Sequence, residues 1–327
     1  MNVDSPQNTA LNKQPVIIVH GGISDALETW YMQWSALGTK QAAAAGYRVL
    51  QNGGTCVDAV VNAVKTMEDN PAFNAGRGSL SNEEGQVEMH ALVMRGDTCN
   101  CGGVSGIKGV KNPVDVAHLV LEHSHHSLLN GNASLELARR FGLEEKPPEY
   151  FKTDMTRKRL QQRRTFEEPF YSDHNAVGAV ALDCHGNVAC ATSSGGISIQ
   201  SAGRISDCAI AGSGGFADNS SVAVVATGHG DSILNVNLSR LISIHVENGM
   251  SPQEASQKSL EYMWRKTSGR GGVISLDPGG RVGIHFTTPK MSWARIGGES
   301  PYDSRNISTN NFIQFGFDMV NISAEKL

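Results

Sequence analysis

The stretch HNAVGAVALDCHGNVACATSSGG, residues 174–196, decides how the chain is read. Ala176 to Leu182 alternates small and apolar residues, Asp183-Cys184-His185-Gly186-Asn187 has turn chemistry, and Val188 to Ala191 returns as a second run. Two short runs joined by an Asp/Gly/Asn turn spell a β-hairpin. Thr192-Ser193-Ser194 then comes back to the level of Ala176. A hydroxyl there could orient a nucleophile on the facing strand; the plainer reading is an ordinary polar strand end. The residue at the head of the hairpin is an alanine, which has no reactive group.

The surrounding pattern is mixed. Pro15 to His20 reads as a buried strand stopped by Gly21-Gly22, and Glu28 to Leu50 is helical in texture with an Ala-rich centre. Thr55-Cys56-Val57-Asp58 reads as a helix start, followed by Val57, Val60, Val61, Val64 and Met67 on one face. Gln86 to Met94 reads as a strand, and Pro113 to His123 and Ser134 to Phe141 as helices. Ser232 to Asn248 reads as one amphipathic helix closed by Gly249, and Ser251-Pro252-Gln253-Glu254 as a capping box. Gly271 to Thr288 reads as a final hairpin turning at Asp277-Pro278-Gly279-Gly280. Helices run consecutively and so do strands, which favours an α+β architecture of stacked layers with antiparallel sheets over a βαβ array.

Between the halves, Glu144 to Asp173 breaks the pattern with Pro147-Pro148, a basic run Arg157 to Arg164, and Glu167-Glu168-Pro169. The acidic flanks favour a solvated helix end and linker over a nucleic-acid contact. The expected organisation is a polar tail over 1–14 and one domain over 15–327, with an N-terminal half 15–143, a mobile linker 144–175 and a C-terminal half 176–327.

The net charge of -4 and a pI near 6.3 favour neither nucleic acid nor an anionic membrane as partner. The 36 glycines in 327 residues exceed the usual ~7% and cluster in pairs, as in turns around a site. Six scattered cysteines form no pair of CxxC motifs, so no disulfide framework is expected, and Cys99-Asn100-Cys101 reads as a loop rather than a metal site. The polar start MNVDSPQNTALNKQP lacks the apolar core of a secretory signal, and no run of ~18 apolar residues occurs. The expectation is a reduced, cytoplasmic protein with no membrane partner.

Besides Thr192 to Ser194, three loops have residues suited to chemistry. His20-Gly21-Gly22 taken alone resembles the oxyanion loop of α/β-hydrolases, but the Gly-x-Ser-x-Gly elbow that fold needs is missing; Ala211-Gly212-Ser213-Gly214-Gly215 lacks its first glycine. Arg204 and Asp207, three apart, have the chemistry to grip a zwitterionic α-amino acid, the guanidinium forking onto the carboxylate and the carboxylate taking the ammonium. The plainer reading is a local salt bridge. Thr227-Gly228-His229-Gly230-Asp231 precedes a helix, where backbone N–H groups can hold an oxyanion; the alternative is a glycine turn capped by Asp231.

As an ordered set, VIIVHGG, NPAFNAGRGS, GAVALDCHGNVACATSSGG, GRISD, GSGGFADN and TGHGDSILNVNLSR resemble the plant-type L-asparaginase/isoaspartyl peptidase family of N-terminal-nucleophile hydrolases, from about Val16 to Gly298. The resemblance implies the four-layer αββα sandwich of that class. It implies a precursor that cuts itself before a threonine at the position of Ala176, whose new α-amine then serves as base. It implies hydrolysis of asparagine and β-aspartyl dipeptides. Arg204 and Asp207 would hold the α-carboxylate and α-amine, Thr227 and Gly228 the oxyanion, with Gly230 beside the substrate. Position 194 would support the nucleophile and Asn74 would lie near the reaction centre. The loop Glu68 to Gly76 would carry a structural sodium ion through its carbonyls; no other cofactor is implied. Precursor chains of the family pair, so a homodimer or pairing with a relative is expected.

The departures fall on the chemistry. Ala176 replaces the catalytic threonine, Ser194 replaces the supporting threonine, and His90 stands where the family has aspartate. The expected protein is therefore a non-catalytic or strongly impaired member, a pseudoenzyme that does not self-cleave. The alternative is an active asparaginase/isoaspartyl peptidase carrying a Thr→Ala exchange at 176. Departures at Asn175, His90 and Ser194 as well as at Ala176 favour the first reading.

Overall fold

The first strand, β1 (Val16–Ser24), is buried along its whole length, and its two faces meet two different layers. Ile17 and Val19 enter a core with Val60, Val64 and Met67 of a helix. Ile18 enters a second core with Val180, Val225, Ile274 and Trp293. Side chains alternate across a strand, so a strand apolar on both faces must lie inside a stack. The computed structural model describes residues 13–24, 29–158, 161, 176–299, 312–318 and 322–327.

The helices on the first face are α1 (Thr29–Gln51), α2 (Cys56–Glu68) and α3 (Pro113–His123). They cover a large sheet containing β1, β2 (Met89–Arg95), β3 (Cys101–Ile107), β4 (Leu128–Asn130), β5 (Val177–Leu182) and β6 (Val188–Ser194). Helices α4 (Gly131–Arg140) and α5 (Pro148–Phe151) follow β4 in the chain. A small sheet contains β7 (Gly215–Ala217), β8 (Ala223–Gly228), β9 (Gly271–Leu276) and β10 (Val282–Phe286). Its outer face, through Val224, Ala226 and Val273, packs on α6 (Gly230–Val236), α7 (Leu238–Glu247) and α8 (Pro252–Thr267). The order helix, sheet, sheet, helix is the expected αββα sandwich. Each fully buried Val or Ile in these layers contributes roughly 1.5–3 kcal/mol.

Within the large sheet, strands β11 (Lys290–Ile296), β12 (Phe312–Gly316) and β13 (Ser323–Lys326) extend the far edge, giving the order β13-β12-β11-β1-β5-β6-β2-β3-β4 among the described residues. The small sheet runs β10-β9-β8-β7. The hairpin read from the sequence is β5–β6, with Val177 opposite Ser193. Thr55 caps α2 through the Asp58 N–H at 3.1 Å, and Ser251 and Glu254 complete the capping box of α8.

Three expectations need correction. The helix read over Ser232 to Asn248 is two helices, α6 and α7, broken at Asn237 in the left-handed region (φ 47°), a conformation that asparagine tolerates. Cys101 opens strand β3 rather than lying in a plain loop. The hairpin β9–β10 is not the last, because β11 returns to the large sheet and pairs with β1. In the expected linker, Glu144 O accepts from Lys111 N, Lys146 N donates to Gly109 O, and Phe151 is buried. Positions 159, 160 and 162–175 of that linker lie outside the described residues. No described helix is long and apolar enough to cross a membrane.

One strained position lies in the loop after β6. Ile199 has φ 59°, a genuine outlier for a β-branched residue. Its N–H donates to Ser81 O at 3.0 Å, which ties the loop down. Ile199→Asn, a residue several-fold enriched in this region, is expected to raise stability by about 1 kcal/mol. The urea midpoint measures it, and an unchanged or lowered midpoint at constant m-value would show that no strain is stored there.

Candidate active site

The site grows from one row across three strands. Val177 pairs with Ser193, which brings Ser194 opposite Ala176, and His90 pairs with Ser194 on the other side. All three share the face that carries Val180, Cys190 and Met94 into the core between the sheets. His20 of β1 lies against the Ala176 backbone; burial pushes its imidazole down to about 3, partly offset by the Ala176 contact, so it is neutral.

Ala176, Ser194, Gly196, Ile197, Arg204, Ser206, Asp207, Gly228 and Gly230 enclose a cavity with about 10 Å³ of free space, room for about one water molecule. Sequence reading brought most of these residues to one place from four separate loops. Ser194 Oγ accepts the Gly196 N–H at 3.0 Å and keeps its own proton to donate. Two glycines allow the close approach of their neighbours. Gly228 has φ 139°, and a Cβ there would meet Arg270 O at 2.4 Å. A Cβ on Gly230 would meet Asp207 Oδ1 at 2.4 Å and Arg204 Nη2 at 3.0 Å.

Asp207 is held by the fold rather than by solvent. Thr192 Oγ1 donates to Cys208 O at 2.6 Å, and Gly214 N donates to Asp207 O at 3.1 Å. Ser206 Oγ donates to Asp207 Oδ1 at 3.2 Å, while Oδ2 is buried without a hydrogen-bond partner. Burial pushes the Asp207 carboxyl up to about 6, against the opposing pull of Arg204.

Arg204 departs from the simple salt-bridge reading. Its Nη2 donates to Asp231 Oδ1 at 2.9 Å, not to Asp207. Its Nη1 reaches Gln200 Oε1 at 3.4 Å, and Nε is buried with no acceptor. The sequence reading missed Asp231 as a partner of Arg204 and weighed it only as the cap of a glycine turn; His229 takes the cap position. An acid in the first turn of a helix gives no local sign that it reaches an arginine 27 residues away.

The remaining expected residues lie behind the cavity wall. Asn74 does not line it; its Nδ2 donates to Gly196 O at 2.6 Å and its Oδ1 accepts from Leu80 N at 2.9 Å, so it pins the wall. Thr227 is buried in β8, paired with Gly272, one residue short of the cavity lining. His90 is fully buried; its Nδ1 meets Ser105 Oγ at 3.0 Å and accepts the Gly106 N–H at 3.2 Å. Burial, with Arg204 nearby, lowers its pKa to about 4, so position 90 carries no charge at neutral pH. In the loop Glu68 to Gly76, Glu68 O accepts from Arg77 N, Asn74 O from Gly195 N and Ala72 O from the Tyr31 hydroxyl. Each of these carbonyl oxygens keeps a second lone pair.

A family profile described as Asparaginase matches residues 13–303. The chain is 44% identical over 284 residues to the isoaspartyl peptidase/L-asparaginase of Danio rerio, covering 86% of this chain and 91% of that one. It is 43% identical over 286 residues to the Xenopus laevis protein of the same description, covering 86% and 92%. It is 41% identical over 284 residues to the one from Homo sapiens, again covering 86% and 92%.

Proposed function

This chain belongs to the asparaginase family, and from that premise we propose that it is a member without hydrolytic power that keeps an aspartyl-binding pocket. The observation that carries the reading is Ala176 itself. It stands at the head of β5, in the same cavity as Ser194, Arg204, Asp207 and Gly228, and offers a methyl group.

Self-cleavage of the family's kind needs a hydroxyl or thiol at residue 176 to attack the preceding carbonyl and form an ester. Without that cut no α-amine appears at 176, so the base is absent with the nucleophile. Ser194 does not replace it: in the family role its hydroxyl supports the nucleophile and sits one strand away. The binding groups fare differently. Arg204 offers an unused Nε–H and Asp207 an unused Oδ2, the pair that would take an α-carboxylate and an α-ammonium. Thr227 and Gly228 would face the side-chain carbonyl or carboxylate, with Gly230 leaving room beside them.

The proposed surroundings follow from the same resemblance. The carbonyls of the Glu68 to Gly76 loop would hold a structural sodium ion, supplying rigidity rather than chemistry. A second copy of the chain or an active relative is the proposed partner. The six free thiols suit a reducing compartment, and we place the protein in the cytoplasm.

Calorimetric titration with L-aspartate tests the pocket. Wild type is expected to bind, and Arg204→Ala to weaken binding by about ten- to a hundredfold, the worth of a charged hydrogen bond. Equal affinity in both proteins would remove Arg204 from the binding role. No binding by wild type would leave only the partner role. The alternative, an active asparaginase with Thr→Ala at 176, is favoured only if Ala176→Thr restores cleavage and activity.

A further inference from the structure

Resting on the reading of a retained pocket, we propose that Asp231 is a built-in competitor for Arg204: a carboxylate ligand enters only as Asp231 lets go of the guanidinium. Two observations meet here. The Arg204 side chain borders the cavity with a buried Nε–H that has no acceptor, so a carboxylate there would find a donor waiting. The same side chain is tethered by Asp231, through Nη2 to Oδ1 at 2.9 Å.

Asp231 is suited to the part. Its side chain is 53% exposed while that of Arg204 is 15% exposed, so the acid can swing into water and the cation stays in the wall. It sits in the first turn of α6, immediately after Gly230, whose missing side chain lets the Arg204 and Asp207 groups approach the backbone. A carboxylate gripping Arg204 through the unused Nε and through Nη2 would share Nη2 with Asp231. Two carboxylates on one nitrogen repel, so the affinity for an anionic group is set by how readily Asp231 leaves. Asp231 is thus a specificity-determining residue. It lowers affinity for any ligand that brings a carboxylate to Arg204 and leaves other ligands unaffected.

The test compares wild type with Asp231→Asn by calorimetric titration, using L-aspartate and its α-amide as probes. Asparagine at 231 keeps the size and removes the charge, at an exposed position where folding is not at stake. L-aspartate is expected to bind Asp231→Asn about two- to fivefold more tightly than wild type, while the α-amide, which brings no α-carboxylate, shows no gain. Equal or weaker binding of L-aspartate by the variant overturns the proposal and makes Asp231 a support that aims Arg204. An equal gain for both probes also overturns it, since the effect then does not run through the carboxylate. If L-aspartate binds neither protein, the reading of a retained pocket falls, and the competitor with it.

Discussion

After prolonged incubation and denaturation, the purified chain is expected to give one species near 34.9 kDa, and its hydrolysis of asparagine or a β-aspartyl dipeptide to lie on the order of 10⁴–10⁶ below that of a threonine-bearing relative. The size of the loss follows from the two roles that residue 176 would combine. A nucleophile and its base act as a unit, so removing the hydroxyl also removes the α-amine that only self-cleavage creates. His20, which touches the Ala176 backbone, is no substitute base: burial holds it neutral with a pKa near 3, so it is too weak to take a proton from water at neutral pH. Intact-mass spectrometry reads the first part and ammonia or aspartate release the second. Two fragments meeting between Asn175 and Ala176 would overturn the mechanism, because cleavage would then have occurred without the hydroxyl. Ala176→Thr separates the causes. Recovery of both cleavage and hydrolysis confines the defect to one side chain; no recovery spreads it to the other departures, Ser194, His90 and Asn175.

The sequence was informative where local chemistry and burial agree. The β5–β6 hairpin was legible because Asp183 to Asn187 can only turn, and its register followed from the length of that turn. The helix starts at Thr55 and Ser251 were legible because caps are local. Strand β11 was not: Lys290 to Ile296 carries the polar residues Ser292 and Arg295 among apolar ones, and only its burial between β1 and β12 makes it a strand. The site split the same way. Glycine pairs marked the loops that approach one another, since Gly228 and Gly230 sit where a side chain would collide. The pairing of Arg204 with Asp231 arises from the packing of α6 against the loop of Asp207, and no spacing in the chain encodes it.

The same packing gives Asp207→Asn a large effect on stability. At pH 7 to 8 the substitution is expected to stabilise the ligand-free protein by up to about 3 kcal/mol, from a carboxyl pushed up to about 6 in the fold against its ordinary 3.8. The sign follows from proton counts. Between about pH 4 and pH 6 the folded protein keeps a proton on Asp207 that the unfolded chain has released, so stability falls as pH rises through this window. Above pH 6 the folded protein carries a buried charge whose Oδ2 lacks a partner. Asparagine has no such charge, and below pH 4 aspartate has none either, so the advantage of the variant vanishes in acid. Urea unfolding of both proteins at pH 4, 6 and 8 measures it; a difference independent of pH would mean that Asp207 ionises normally in the fold. On the proposed reading of a retained pocket, the instability has a use. An ammonium group placed beside Asp207 would draw its pKa back down, so ligand binding should strengthen as pH rises through 6 and release a proton below it. The energy that burying Asp207 costs the empty protein is then recovered on binding, as expected of a carboxylate kept for a cationic partner rather than for the fold.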